Sequence, residues 1–469
     1  MFNLKHTFIC SATALGLLSL GACSQQGFPS GQPPNIVFIL ADDLGYGDLG
    51  VYGQTKFKTP NIDRLAQEGI RFTQHYSGST VCAPSRSVLL TGLHTGQTPV
   101  RGNKEFQPEG QQPLPEGTRT IAHLLSEAGY TNGLVGKWGL GYPGSGSEPL
   151  DMGFDYFFGQ NCQRHAHHYF VDYLLENRQK LFYEKKIYSH DEITRQGLAF
   201  IHQNREKPFF LYMAYAIPHA ELVLPQEYLE PFKGLYPESR PWPAGQHYGA
   251  QPFPRAALAA MISHLDADVG KVMNLLKELG LDENTLVIFT SDNGPAVEGG
   301  NDPAFFNSSG GLRGVKRDLY EGGIRVPMIA RMPAKIPSGK VSGHISAFWD
   351  FFPTLAELAG LEAPKNINGI SLLPSLTGKG EQAEHPFLYW EFHELGGRQA
   401  ARYRKWKGVK YDLSSGNAPL ELYDLENDPA ETHDLAGWFP DVVSEMERIF
   451  SEARQPSPAF PFPADPLDQ

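Results

Sequence analysis

The chain has 469 residues, with 40 Lys and Arg against 52 Asp and Glu and a formal net charge of −12. That balance, without a long basic stripe, argues against a nucleic-acid partner. It leaves an anionic substrate open, because such a substrate needs only a local group of lysines and arginines. The length suits one large α/β domain with a smaller appendage, and 41% apolar with 20% charged residues is ordinary for a globular protein.

At the N-terminus, Lys5 and His6 precede an apolar run over residues 7–20 that closes on Leu20-Gly21-Ala22-Cys23. A short apolar core ending in small residues reads as a signal peptide over residues 1–22, too short to span a membrane as a stable helix. The Leu-Gly-Ala-Cys ending resembles a bacterial lipobox. That implies export, acylation at Cys23, and a place in the periplasm or outer membrane of a Gram-negative bacterium, with the lipid as the only membrane contact. Residues 23–33, rich in Gln, Gly, Ser and Pro, read as a tether.

From residue 34 onward, apolar runs end abruptly in polar residues. Residues 35–40 run into Asp42-Asp43, 133–135 into Lys137, 209–215 into His219, and 285–290 into Asp292-Asn293. Apolar runs without alternation predict strands of a parallel sheet covered on both faces. Helices are expected at 62–68, 121–128 and 256–279, and a further one over 87–90 with Pro84 in its first turn. Strands and helices in alternation predict an α/β layered fold whose ligands gather at the carboxyl ends of the strands, where these polar residues fall. Past residue 373 the pattern becomes short alternating strands at 387–392, 398–404, 406–411 and 421–423, then a helix near 442–453. These predict a C-terminal antiparallel sheet with a helix, dividing the chain into 34–372 and 373–469.

The helix at 87–90 places Cys82 and Arg86, in Cys82-Ala83-Pro84-Ser85-Arg86, at a positive N-terminal end suited to anions. Asp42, Asp43, Asp292 and Asn293 offer hard oxygen ligands from two distant segments. Carboxylates crowded together repel unless a cation sits between them, and oxygen ligation points to calcium or magnesium rather than zinc. Taken alone, Cys82 also reads as a buried or redox-active cysteine.

The Cys-Ala-Pro-Ser-Arg segment followed by Leu90-Thr91-Gly92, the segment Gly136-Lys137-Trp138-Gly139-Leu140-Gly141, and Lys316 before Tyr320-Glu321-Gly322-Gly323 together resemble the type I sulfatases. The resemblance runs from residue 34 to about 434 and implies an alkaline-phosphatase-like large mixed sheet between helices, with a small C-terminal sheet. It also implies a maturation enzyme that oxidises Cys82 to formylglycine, the nucleophile. Calcium would be held by Asp42, Asp43, Asp292, Asn293 and residue 82. With Cys82 so used, Cys162 has no partner and no disulfide is expected.

In the scheme this family uses, the hydrated aldehyde loses a proton to Asp292 and attacks sulfur. Arg86, Lys137 and Lys316 grip the sulfate, and His219 protonates the departing alcohol. The second hydroxyl then expels sulfate. One departure stands out: Gly139 replaces the histidine usual in Gly-Lys-Trp-His-Leu-Gly. His165, His167 and His168 are candidates to fill that gap or to bind sugar, and Arg313 is a further substrate-binding candidate. Tyr142, Tyr169, Trp349 and Trp390 are expected to stack on sugar rings or to pack in the core.

The implied substrate is a sulfated carbohydrate, of a galactose-type, carrageenan-like or glycosaminoglycan-like kind. Two rivals stay open: a phosphonate monoester or phosphodiester hydrolase of the same fold, and a non-catalytic glycan-binding lipoprotein suggested by Gly139.

Overall fold

The structure, a computed structural model, describes Met1 and residues 33–462. Apart from Met1, the predicted signal, with Cys10, Cys23 and nearly all of the tether, lies outside the described residues. Among these, ten strands form one sheet in the order Lys340–Ser342, Ile70–Phe72, Met328–Arg331, Thr285–Ser291, Asn35–Ala41, Phe209–Ala214, Thr131–Lys137, Tyr156–Gln160, Tyr173–Glu176, Gln179–Phe182. The five from Thr285–Ser291 to Tyr156–Gln160 run parallel. The sheet becomes mixed at its flanks, where Met328–Arg331 pairs antiparallel with both neighbours. That strand is only four residues long, too short to stand out in the sequence.

The central strands read as unbroken apolar runs because each face has its own core. Ile36, Phe38 and Leu40 join Leu89, Leu125 and Phe351 on one side, while Val37, Ile39 and Ala41 join Leu65, Ile201 and Ile262 on the other. The helices Pro60–Gln67 and Pro254–Glu278 each begin two residues before their predicted start, with proline in the first turn where no N–H is lost.

The C-terminal strands Leu388–Phe392, Arg398–Tyr403, Trp406–Tyr411 and Glu421–Asp424 form an antiparallel meander. One face takes Met446, Ile449 and Phe450 of the helix Pro440–Ala453. The other presents Trp390, Ala400 and Val409 to the core of the large sheet. The Trp390 indole also donates to the Ser77 carbonyl at 3.0 Å.

Glu391 pins this arrangement. It is fully buried, 2.9 Å from Arg101, 2.9 Å from His393 and 3.2 Å from Arg454. Burial pushes its carboxyl up, but His393, Arg101 and Arg454 outweigh burial and hold it at about 2, below the ordinary 4.5. Its contribution to stability is therefore fully present above pH 4.5 and fades as pH falls toward 2. Glu391→Ala removes the buried carboxylate that Arg101, His393 and Arg454 share and is expected to cost about 3–5 kcal/mol. Urea unfolding should show that deficit at neutral pH and a smaller one near pH 3; equal midpoints at neutral pH would contradict the assignment.

Candidate active site

Strand ends bring the site together. Asp42 and Asp43 follow Asn35–Ala41, and Asp292 and Asn293 follow its parallel neighbour, where the Asp292 N–H donates to the Ala41 carbonyl at 3.0 Å. Lys137 is the last residue of Thr131–Lys137. The preceding Gly136 has φ +109°, and a Cβ there would lie 2.1 Å from the Ala214 carbonyl oxygen, so only glycine fits. His219 follows Phe209–Ala214, and its carbonyl accepts from the Tyr169 hydroxyl at 2.8 Å.

The helix Cys82–Thr91 lies across these ends, every residue of it buried. It starts five residues before the predicted core of the element. The sequence reading placed Cys82 beside a helix N-terminus; the structure makes it the first helical residue. Asn103, which the sequence reading missed, accepts from the Ala83 N–H at 3.1 Å and satisfies one of the free donors of that first turn.

The side chains converge on Asp42. Its carboxylate lies 3.4 Å from the Cys82 sulfur, 2.5 Å from the Lys137 ammonium and 3.2 Å from the Arg86 guanidinium. Arg86 also reaches Asp292 at 3.0 Å and donates to the Lys137 carbonyl at 2.7 Å. Asp43 lies 2.9 Å from Lys316, 2.8 Å from the Asn293 amide and 3.5 Å from His219 Nε2. His167 Nε2 is 3.2 Å from the Lys137 ammonium, and its ring stacks on that of His219 with centroids 3.8 Å apart. Of the three neighbouring histidines, only His167 enters the cluster.

Burial raises the Asp42 carboxyl, but Lys137, His219, Arg86 and Lys316 overcome this and hold it ionised. Burial, with Asp42 adding repulsion, pushes Asp43 to about 6 and Asp292 to about 7. Burial likewise pushes the Cys82 thiol up to about 12 and depresses His219 well below its ordinary value, with Lys316 adding to the effect. Two carboxylates that resist ionisation beside a third are short of positive charge. The buried Asn293 Oδ1 has no hydrogen-bond partner among the described residues. Ligand atoms of Asp42, Asp43, Cys82 and His219 all lie within 4.8 Å of one another. The oxygens of Asp42, Asp43, Asp292 and Asn293 fit a hard cation by charge and donor type, whereas the Cys82 sulfur and the His219 nitrogen do not.

The remaining candidates lie elsewhere. His165 packs on Tyr173, with ring centroids 4.5 Å apart, and faces Glu109. His168 is exposed, its Nδ1 3.1 Å from Glu221. Arg313 turns to the C-terminal sheet, stacking on Tyr320 and donating to the Tyr423 hydroxyl at 2.9 Å. Tyr169, Trp349 and Trp390 are core residues, each 1% exposed or less, and Tyr142 stacks on Phe106. A second His/Asp group, His190, His264 and Asp268, braces the helices Ser189–Gln203 and Pro254–Glu278. The oxygens of Asp268 are already taken by Thr194 and Lys271.

Residues 34–361 match the sulfatase family, and residues 314–455 match the family described as N-sulphoglucosamine sulphohydrolase, C-terminal. The chain belongs to the sulfatase family. It is a sulfuric ester hydrolase. This sulfatase is 34% identical over 488 residues to N-acetylgalactosamine-6-sulfatase of Mus musculus, covering 96% of this chain and 84% of the relative. It is 33% identical over 492 residues to arylsulfatase A of Homo sapiens, covering 92% and 89%. The crystal structure of Ps i-CgsB in complex with k-i-k-neocarrahexaose superposes with a TM-score of 0.76 at 29% identity, over 90% of this chain and 94% of that one.

In this sulfatase Gly139 has φ +79°, and a Cβ there would meet the Gln163 side chain at 3.0 Å. The side chain of Gln163 fills the space a larger residue would need.

Proposed function

We propose that the chain removes sulfate from a sulfated galactose-type glycan, carrageenan-like or glycosaminoglycan-like, using formylglycine formed from Cys82. The observation that carries this reading is the meeting of Cys82, three buried cations and His219 at one helix N-terminus. The names of the N-acetylgalactosamine-6-sulfatase relative and of the carrageenan-oligosaccharide complex support the substrate class.

Asp42, Asp43, Asp292 and Asn293, with residue 82, are the residues to hold calcium, or magnesium in its place. That ion supplies positive charge for the sulfate oxygens and a lowered pKa for a bound hydroxyl. An aldehyde at position 82 supplies the hydrated nucleophile. Arg86, Lys137 and Lys316 fix the sulfate oxygens and stabilise charge that builds on them. Asp292 accepts the nucleophile's proton. His219 Nε2, once protonated with the carboxylates of Asp42 and Asp43 beside it, gives that proton to the departing alcohol. His167 supplies the imidazole that Gly139 omits, holding Lys137 from one side and His219 from the other.

The N-terminal sequence supports export, with acylation at Cys23 as the sole membrane anchor. No helix among the described residues is long and apolar enough to cross a membrane. Incorporation of labelled palmitate that disappears in Cys23→Ala is the expected result for the anchor. Cys82 is 1% exposed, so the maturation enzyme meets this segment before the fold closes over it.

The substrate test is desulfation across a panel of galactose, N-acetylgalactosamine and glucosamine sulfates of defined position, with aryl phosphonate monoesters alongside. Turnover of a galactose-type sulfate above all others is expected. Preference for the phosphonate, or turnover of none of the sugars, would overturn the reading.

A further inference from the structure

The aromatic residues expected at the sugar are largely withdrawn into the core, yet one that no sequence signal marked stands beside the cluster. Tyr248 is half-buried, and its ring lies edge-on to the stacked pair. The centroids are 6.1 Å from His219 at 80° and 6.3 Å from His167 at 62°. Tyr248 also meets the exposed His247 ring, 4.6 Å away.

The position of Tyr248 is built rather than incidental. Its neighbour Gly249 donates to Glu221 at 3.0 Å. The same carboxylate takes His168 Nδ1 at 3.1 Å and the Tyr169 N–H at 3.4 Å. The Glu221 N–H in turn donates to the His167 carbonyl at 3.1 Å. Backbone pairing of Trp242 with Gln251, at 2.8 and 2.9 Å, closes the loop that carries Tyr248. Glu221 therefore ties this loop to the segment that presents His167.

The cluster carries the cations Arg86, Lys137 and Lys316, which suit a sulfate. Beside His219, Tyr248 adds an aromatic ring to this otherwise charged group. A pyranose has one apolar C–H face that packs against an aromatic ring, whereas a flexible acyclic alcohol has none. We propose that Tyr248 is a specificity-determining residue that packs against the sugar ring of a pyranose sulfate ester, with Glu221 as the residue positioning it. This rests on the sulfated-glycan reading above.

The test uses the full chain, with the best pyranose sulfate from the panel as substrate and inorganic sulfate as inhibitor. Tyr248→Ala should raise KM for the sugar sulfate roughly tenfold, while the inhibition constant of inorganic sulfate stays within about twofold of wild type. Tyr248→Phe, which keeps the ring, should stay near wild type, and Glu221→Gln should fall between the two. An unchanged KM in Tyr248→Ala, or an equal weakening of inorganic sulfate, would overturn the proposal. Wild-type protein inactive on every pyranose sulfate would instead overturn the substrate reading on which it stands.

Discussion

Cys82→Ala is expected to lower turnover of a sulfate ester by about 10⁴-fold or more, the scale seen when a covalent nucleophile is removed. The side chain is small and buried, and alanine fits the first turn of the helix Cys82–Thr91, so thermal unfolding should move little. Arg86, Lys137 and Lys316 remain in the variant and should still bind inorganic sulfate. Activity would thus be lost from kcat while the anion site persists. Retention of more than a tenth of wild-type kcat/KM would remove residue 82 as nucleophile.

Arg86→Ala is expected to damage both fold and chemistry. The guanidinium is 1% exposed and bonds to Asp42, Asp292 and the Lys137 carbonyl, so alanine leaves two buried carboxylates and a carbonyl without that partner. Removing one member of such a buried network costs about 3–5 kcal/mol, and loss of a donor at developing charge costs about 10²–10³ in kcat. Arg86→Lys keeps the charge but not the planar fork and should recover only part of each. Urea unfolding and steady-state kinetics check both effects. An unchanged unfolding midpoint would show that the carboxylates are compensated by something other than Arg86.

Most of this site was legible in the sequence because its residues terminate apolar strands. Asp42, Asp43, Lys137, His219, Asp292 and Asn293 each follow a run that suits a buried strand, and strand ends in an α/β sheet point to one edge. Cys82 and Arg86 were legible through Pro84, which marks a helix start. What stayed hidden depends on contacts between segments with no periodic signal. Tyr248 sits in a Pro- and Gly-rich loop whose place is set by Glu221.

Trp349, Trp390 and Tyr169 could not be told apart from sugar-binding rings, since aromatic residues fill cores as readily as they line pockets. Arg313 lies three residues from Lys316, but the turn between them sends one side chain to Asp43 and the other to Tyr423. His165, His167 and His168 share a helical turn and its end, so adjacent positions face different ways. Only the middle one meets Lys137 and His219.

The fold was readable on the same terms. Four of the five parallel strands and the C-terminal meander declared themselves by unbroken and alternating apolar patterns, whereas Tyr156–Gln160 went unread. Short antiparallel strands such as Met328–Arg331 carried too few residues to show a period.

Every assigned role turns on one buried thiol, ringed by acid and base groups, ceasing to be a thiol. Peptide mass spectrometry on protein purified from cells that contain the maturation enzyme reads this directly. The peptide spanning residue 82 should carry an aldehyde or its hydrate in place of sulfur. An intact cysteine there, in protein that still hydrolyses sulfate esters, would contradict it.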